Sequence, residues 1–325
     1  MGQRAFRRLL PVLIPLALLA TFALMITFPG HVPFLNVRLT STEGLGSETF
    51  TVSGNDSDRG DARFVMKLVP AGQAPGGTMD LPGALAVSSP FWLGRTEVTR
   101  GLYGAVAASA GDRGYELAPL PPLPAGVKRG SANSLPVEEI TWFDAVVWCN
   151  LLSELTGLEP VYRFPGPDGG TVRKVSDLAA LCAAGGPAVN AGSRGFRLPS
   201  SQEWEFAARY RDGSQWTSGT WPSGGVASWI EYSRSDLVAH YDREIPSPVA
   251  SLASNGLGIF DMSGNVWEWC FDAFTDPESA DSMPKRVTRG GSWMGNAWRI
   301  QIGGAFGTPP GNRERGQGFR VARNR

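Results

Sequence analysis

Val287-Thr288-Arg289-Gly290-Gly291-Ser292-Trp293 and Gly318-Phe319-Arg320-Val321-Ala322 frame the stretch that decides the reading of this chain. A basic strand runs into a glycine pair. A long aperiodic loop follows, and a second short strand carries an arginine. Upstream, Gly256-Leu257-Gly258-Ile259-Phe260-Asp261-Met262-Ser263-Gly264-Asn265-Val266-Trp267-Glu268-Trp269 packs turn residues against buried-type aromatics.

The bulk properties narrow the class. The 325 residues carry 30 basic and 30 acidic side chains, so the formal net charge is zero. A nucleic-acid binder normally carries a basic excess, and none is present. With 41 Gly, 25 Pro and 11 Trp, the composition points to a loop-rich fold whose loops are pinned by buried aromatics. Cys149, Cys182 and Cys270 form no Cys-x-x-Cys pair and read as buried apolar thiols. His31 and His240 are too few for a three-histidine metal site.

Residues 1–30 read as a membrane segment. Arg4, Arg7 and Arg8 precede an uncharged apolar run from Leu9 to Phe28. A run of about 20 such residues spans a bilayer as a helix, and the upstream arginines keep the N-terminus inside. The segment is an uncleaved anchor or a cleaved signal peptide. Either reading places the domain outside the cytoplasm, membrane-anchored in the first case and secreted in the second. Residues 31–63, rich in Ser, Thr, Gly and Asp from Thr40 onward, read as a linker. The folded domain is then 64–325.

Within it, Phe64–Val69 and Phe91–Gly94 read as strands. Thr99 caps a short helix through Ala108. Thr141 caps a longer one, with Trp142, Ala145, Val146, Cys149, Leu152 and Leu155 at helical spacing and Gly157 at its end. Ser200 and Glu203 have capping-box spacing at the start of a third. From Asp212 onward no long periodic segment appears. The pattern is α+β: two or three helices against short, mostly antiparallel strands, with much irregular loop.

Four further landmarks precede the glycine-pair frame in order. They are Arg95-Thr96-Glu97-Val98-Thr99; Leu135-Pro136-Val137 with Ile140-Thr141-Trp142-Phe143-Asp144-Ala145; Phe196-Arg197-Leu198-Pro199-Ser200 with Glu203-Trp204-Glu205-Phe206-Ala207-Ala208-Arg209; and the Gly256–Trp269 run. Together they resemble the formylglycine-generating enzyme family, also called the sulfatase-modifying-factor domain. The resemblance implies a compact variant of the C-type-lectin fold. Trp142, Trp204, Trp267 and Trp269 are expected in the core, and Arg197 and Arg320 on loop carbonyls and carboxylates.

The resemblance also implies sites. Calcium would bind the side chains of Asp261 and Glu268 and the carbonyls of Gly264 and Val266, an oxygen-rich set of the kind calcium prefers. The alternative is that both carboxylates cap local turns. Formylglycine generation in the family uses two thiolates on copper(I), the ligand type that ion favours. Here those positions read Gly295 and Ile300, so copper is not expected.

The reading that follows is a noncatalytic domain that binds an unidentified protein or small ligand. The frame from Arg289 to Arg320 is similar to that of the variable proteins of diversity-generating retroelements, which display a loop surface there. In this chain that surface comprises Trp293, Met294, Asn296, Trp298, Arg299, Phe306, Asn312, Arg313 and Glu314. The rivals are an oxidoreductase acting on protein cysteines, or another enzyme on the same fold, in a pocket lined by Ser292 and Trp293, and an accessory module of an envelope complex.

Overall fold

A computed structural model describes residues 37–40, 46–52, 62–77, 82–212, 215–224, 235–275 and 283–325. The membrane segment expected at Leu9–Phe28 lies outside them. No described helix is long and apolar enough to cross a membrane.

The helices are α1 (Arg100–Ala107), α2 (Trp142–Leu155), α3 (Val175–Ala183) and α4 (Ser201–Arg209). The first strands are β1 (Val37–Thr40), β2 (Ser47–Val52), β3 (Ala62–Val69), β4 (Gly72–Gly77), β5 (Pro82–Val87) and β6 (Phe91–Gly94). Short strands β7 (Tyr162–Arg163), β8 (Ala188–Val189), β9 (Phe196–Arg197), β10 (Tyr210–Asp212) and β11 (Gln215–Trp216) follow. The last are β12 (Trp267–Ala273), β13 (Arg286–Arg289), β14 (Phe306–Thr308), β15 (Gln317–Gly318) and β16 (Ala322–Asn324).

Two sheets organise the domain. One has the order β1-β2-β3-β6-β16-β9, and the other β14-β13-β12-β15. Every pairing is antiparallel except β12 with β15. The α+β, loop-rich expectation holds.

The cap chemistry set the helix starts. Thr99 Oγ1 accepts from Leu102 N at 3.1 Å. Thr141 with Asp144, and Ser200 with Glu203, form reciprocal capping boxes, each satisfying two free N–H groups. α2 is buried on nearly every face and forms the centre of the larger core. Such an all-round apolar helix has no solvent stripe. Its polar groups are satisfied inside: Trp142 Nε1 donates to Cys270 O at 2.9 Å, and Asn150 Nδ2 donates to the carbonyls of Tyr162 and Val172. The three thiols are buried and free, as read.

The 31–63 linker needs correction. β2 pairs with β3 with Phe50 opposite Phe64, and their rings stack at 5.0 Å. Phe50 and Val52 are core residues. The Ser/Thr-rich composition that read as linker is also strand-compatible, because Thr is β-branched and suits a pleated surface. β1 adds a further strand outside β2. α3 was not anticipated: Lys174 gives it no side-chain cap, and it buries only Leu178 and Cys182.

Candidate functional site

β12 is the axis of the site. Glu268 lies opposite Arg289 of β13 on one side and Gly318 of β15 on the other. The loop between Gly290 and Gly316 therefore leaves and returns on the two flanks of one strand. Gly290 and Gly291 take φ of 92° and 82°, the left-handed region that favours glycine. A Cβ on Gly291 would lie 2.5 Å from Arg299 O, so the pair is also a point of close backbone approach. Arg289 is held by Glu205 at 2.8 Å, and Glu205 also binds Arg209 at 2.6 Å.

Inside the loop the side chains divide. Trp293 points inward: it is 2 % exposed, and its Nε1 donates to Glu138 Oε2 at 3.1 Å. Gly316 N donates to the same oxygen at 2.7 Å, and the Arg315 guanidinium lies 4.9 Å from the Trp293 ring centre. Trp293 is thus part of the loop's internal packing, which corrects its placement on the recognition surface. Ser292 is buried with it. Trp298, Met294 and Phe306 point outward at 66 %, 48 % and 39 % exposure. Asn296 Oδ1 accepts from Trp298 N at 3.2 Å and so starts the single turn that presents Trp298. The Arg299 guanidinium sits 5.4 Å from the Phe306 ring centre.

On the return limb, Arg313 is tied down by Nη2 to Asp144 at 2.7 Å and Nη1 to Glu139 O at 3.0 Å. Asn312 is half-buried and Glu314 is exposed. A second segment straps the loop from outside: Asp242 N donates to Gly295 O at 2.8 Å and Arg243 N to Trp293 O at 2.7 Å.

The positions that would carry copper thiolates are differently filled. Ile300 is fully buried in a small apolar cluster with Trp221, Val238 and Ala239. Its carbonyl accepts from Ser263 Oγ at 2.8 Å. Gly295 is half-buried beneath the strap.

The turn from Asp261 to Glu268 is a buried charge cluster. Glu268 gives both oxygens to Arg320, at 2.5 and 2.6 Å, and Trp204 Nε1 donates to it at 2.6 Å. Arg320 also donates to Gly94 O and Phe260 O at 3.0 Å each, the role expected of it. Asp261 Oδ2 accepts from Ala250 N at 2.7 Å. Glu97 completes the cluster, accepting from Asn265 Nδ2 at 3.0 Å and Val266 N at 3.2 Å. Burial pushes the Asp261 carboxyl up to about 6, and burial with the charges of Asp261 and Glu268 pushes Glu97 well above the usual range.

Three buried carboxylates thus surround one guanidinium. Oxygen-only donors of this kind are the type a hard cation prefers. Asp261 and the carbonyls of Gly264 and Val266 would hold it. Glu268 is already engaged by Arg320 and would be shared rather than free. Among the described residues no group of three or more His, Cys, Asp and Glu side chains is arranged to hold a metal. The parts played here by Glu97 and Glu138 were not read from the sequence. Glu97 lies in a landmark and Glu138 in the gap between the two halves of another, and the partner of each is more than a hundred residues away.

The chain is similar to known proteins in sequence and in fold. The chain is 30% identical over 256 residues to the Chaperone protein LppX of Paenibacillus barcinonensis, covering 73% of this chain and 81% of that protein. It is 28% identical over 186 residues to the Inactive C-alpha-formylglycine-generating enzyme 2 of Mus musculus, covering 53% of this chain and 59% of that protein. Among solved structures, Treponema denticola variable protein 1 superposes with a TM-score of 0.63 at 28% identity, covering 85% of this chain and 99% of that one. The model of the Sulfatase-modifying factor enzyme 1-like domain matches residues 56–325, and the chain belongs to that family.

Proposed function

We propose that this is a noncatalytic member of the family that binds a protein partner through its C-terminal loop, tethered by its N-terminal segment with the domain outside the cytoplasm. The observation that carries the reading is Trp298, an indole left 66 % exposed on a loop whose neighbouring Trp293 is packed away. Large aromatics displayed beside arginine are common anchors of binding surfaces. Met294, Arg299 and Phe306 extend the same surface. Gly295 and Ile300 in place of two thiolates leave the family's copper chemistry without its ligands. The name of the LppX relative supports a protein as partner, because a chaperone acts on other proteins. Calcium at Asp261 would be structural in this reading, bracing the turn beneath the loop. The rival enzyme reading needs Ser292 and Trp293 to line an open pocket, and both are buried.

The test is capture. Immobilised full-length chain is incubated with envelope extract, alongside Trp298→Ala and Phe306→Ala variants. Loss of specific captured species in the variants supports the reading. Identical capture by parent and variants overturns it.

A further inference from the structure

A separate cleft of about 390 Å³ lies beside the return limb of the loop. Its volume is within the range of about 300–1,000 Å³ usual for small-molecule sites. One wall is apolar, formed by Pro119, Leu120, Pro121 and Pro122; the other carries Glu139 and Arg313. Proline rings form a rigid wall, so little order is lost when a ligand packs on them.

The polar wall is built with some strain. Glu139 has φ of 60°, unusual for a residue with a β-carbon and a long side chain. Such a conformation persists only when the surroundings impose it. Here they do: Glu139 N donates to Glu314 O at 3.2 Å, and its carbonyl accepts from Arg313 Nη1 at 3.0 Å. The Glu139 carboxylate itself makes no hydrogen bond or ion pair among the described residues. Arg313 spends Nη1 and Nη2 on Glu139 O and Asp144, and the other N–H groups of its fork remain for a ligand. Behind the proline wall, buried Arg100 donates Nη2 to Pro121 O, while its Nη1 has no partner among the described residues. Buried donors are normally satisfied, and an unmet one beside a cleft is an observation in its own right.

From this juxtaposition we infer that the cleft binds a small zwitterion with an apolar side chain, of the class of a free aliphatic α-amino acid. Its carboxylate meets the open N–H groups of Arg313, its ammonium meets the Glu139 carboxylate, and its side chain lies on Pro119–Pro122. A guanidinium and a carboxylate on one wall recognise both ends of such a molecule, while the apolar wall excludes strongly polar side chains. The inference stands apart from capture by the Trp298 surface, with which the cleft shares Arg313 alone.

Titration calorimetry on the full chain tests it with four probes: L-leucine, N-acetyl-L-leucine, L-leucinamide and N-acetyl-L-leucinamide. Saturable heat is expected for L-leucine, weaker binding for each singly charged probe, and none for the doubly blocked one. Glu139→Gln and Arg313→Gln should each weaken L-leucine binding by about tenfold or more, the usual effect of losing a charge-assisted hydrogen bond. Because Arg313→Gln also frees Asp144, Arg313→Lys keeps the charge as a second variant, and melting curves confirm that each protein is folded. Absence of saturable L-leucine heat, equal binding of the doubly blocked probe, or undiminished binding by folded Glu139→Gln and Arg313→Gln would each overturn the inference. The capture assay is read independently, so either reading can fail alone.

Discussion

Arg320 and Glu268 meet as a fully buried ion pair, with two hydrogen bonds at 2.5 and 2.6 Å and the Trp204 indole on the same carboxylate. Removing Arg320 leaves Glu97, Asp261 and Glu268 buried around no guanidinium, and removing Glu268 strips Arg320 of its two-bond partner. Glu268→Ala and Arg320→Ala are each expected to lose about 3–5 kcal/mol of stability. The apolar double variant Glu268→Leu/Arg320→Met should lose less than the sum of the two. Urea denaturation measures all three. Single variants within experimental error of the parent would mean that water reaches the cluster.

Arg197 and Glu203 predict a pH dependence. Burial alone would raise the Glu203 carboxyl, but the Arg197 fork, with its bonds at 2.7 Å, and the Ser200 amide and hydroxyl hold it below its ordinary value of 4.5. A carboxyl depressed in the folded state is bound by more protons when unfolded. Its contribution is therefore complete above pH 4.5 and is lost as pH falls through the depressed folded value. The stability gap between parent and Glu203→Gln should narrow as urea titrations are taken from pH 7 down to pH 3. A gap independent of pH would remove Glu203 as the source.

The three carboxylates around Arg320 predict a cation response. A ligand that binds only the folded state raises its stability with concentration. The melting temperature should fall in chelator and recover with calcium more than with magnesium, which fits irregular carbonyl-rich cages poorly. Asp261→Ala should abolish the response. If the melting temperature is unchanged in chelator and elemental analysis finds no metal, protons on Glu97 and Asp261 balance the charge instead.

Gly295 and Ile300 make a prediction about chemistry. The purified chain should not convert a cysteine-containing sulfatase peptide to formylglycine, as read by mass spectrometry with and without copper. Installing both cysteines should not rescue it readily. Gly295→Cys is tight, because an added Cβ would lie 3.3 Å from Ser292 O and that backbone must give by a few tenths of an ångström. Ile300→Cys removes apolar volume from the cluster of Trp221, Val238 and Ala239, at a cost of about 2 kcal/mol. Copper-dependent conversion by the parent chain would refute the noncatalytic reading.

What could be read from the residues follows the range of the interactions. Thr99, Thr141 and Ser200 announced three helices because a cap acts over three residues. α3 has no cap, and it passed unseen. The glycine-pair frame was legible because Gly290 and Gly291 are demanded by backbone geometry. Trp293 was assigned to the wrong side of the loop because nothing local distinguishes it from Trp298. Its inward turn depends on Glu138, which lies 155 residues earlier. Phe50 and Val52 were hidden for a related reason: two apolar residues among serines and threonines make a strand only when β3 lies beside them.

The two flanks of Glu268 have a consequence for chain length. Neighbouring strands lie about 4.8 Å apart, so Arg289 and Gly318 are held about 10 Å from each other whatever the intervening residues do. The loop is a ring closed by the sheet, and doubling a flexible ring costs only about 0.6 kcal/mol of closure entropy. Residues inserted between Gly311 and Asn312, after Pro310 O has met Trp142 N and before the bonds of Arg313, open only the turn from Asn312 N to Pro309 O and leave the clasp in place. Residues inserted between Ala297 and Ile300 would instead pull Ile300 from its cluster. The same ring should therefore accept extra residues on one limb and reject them on the other.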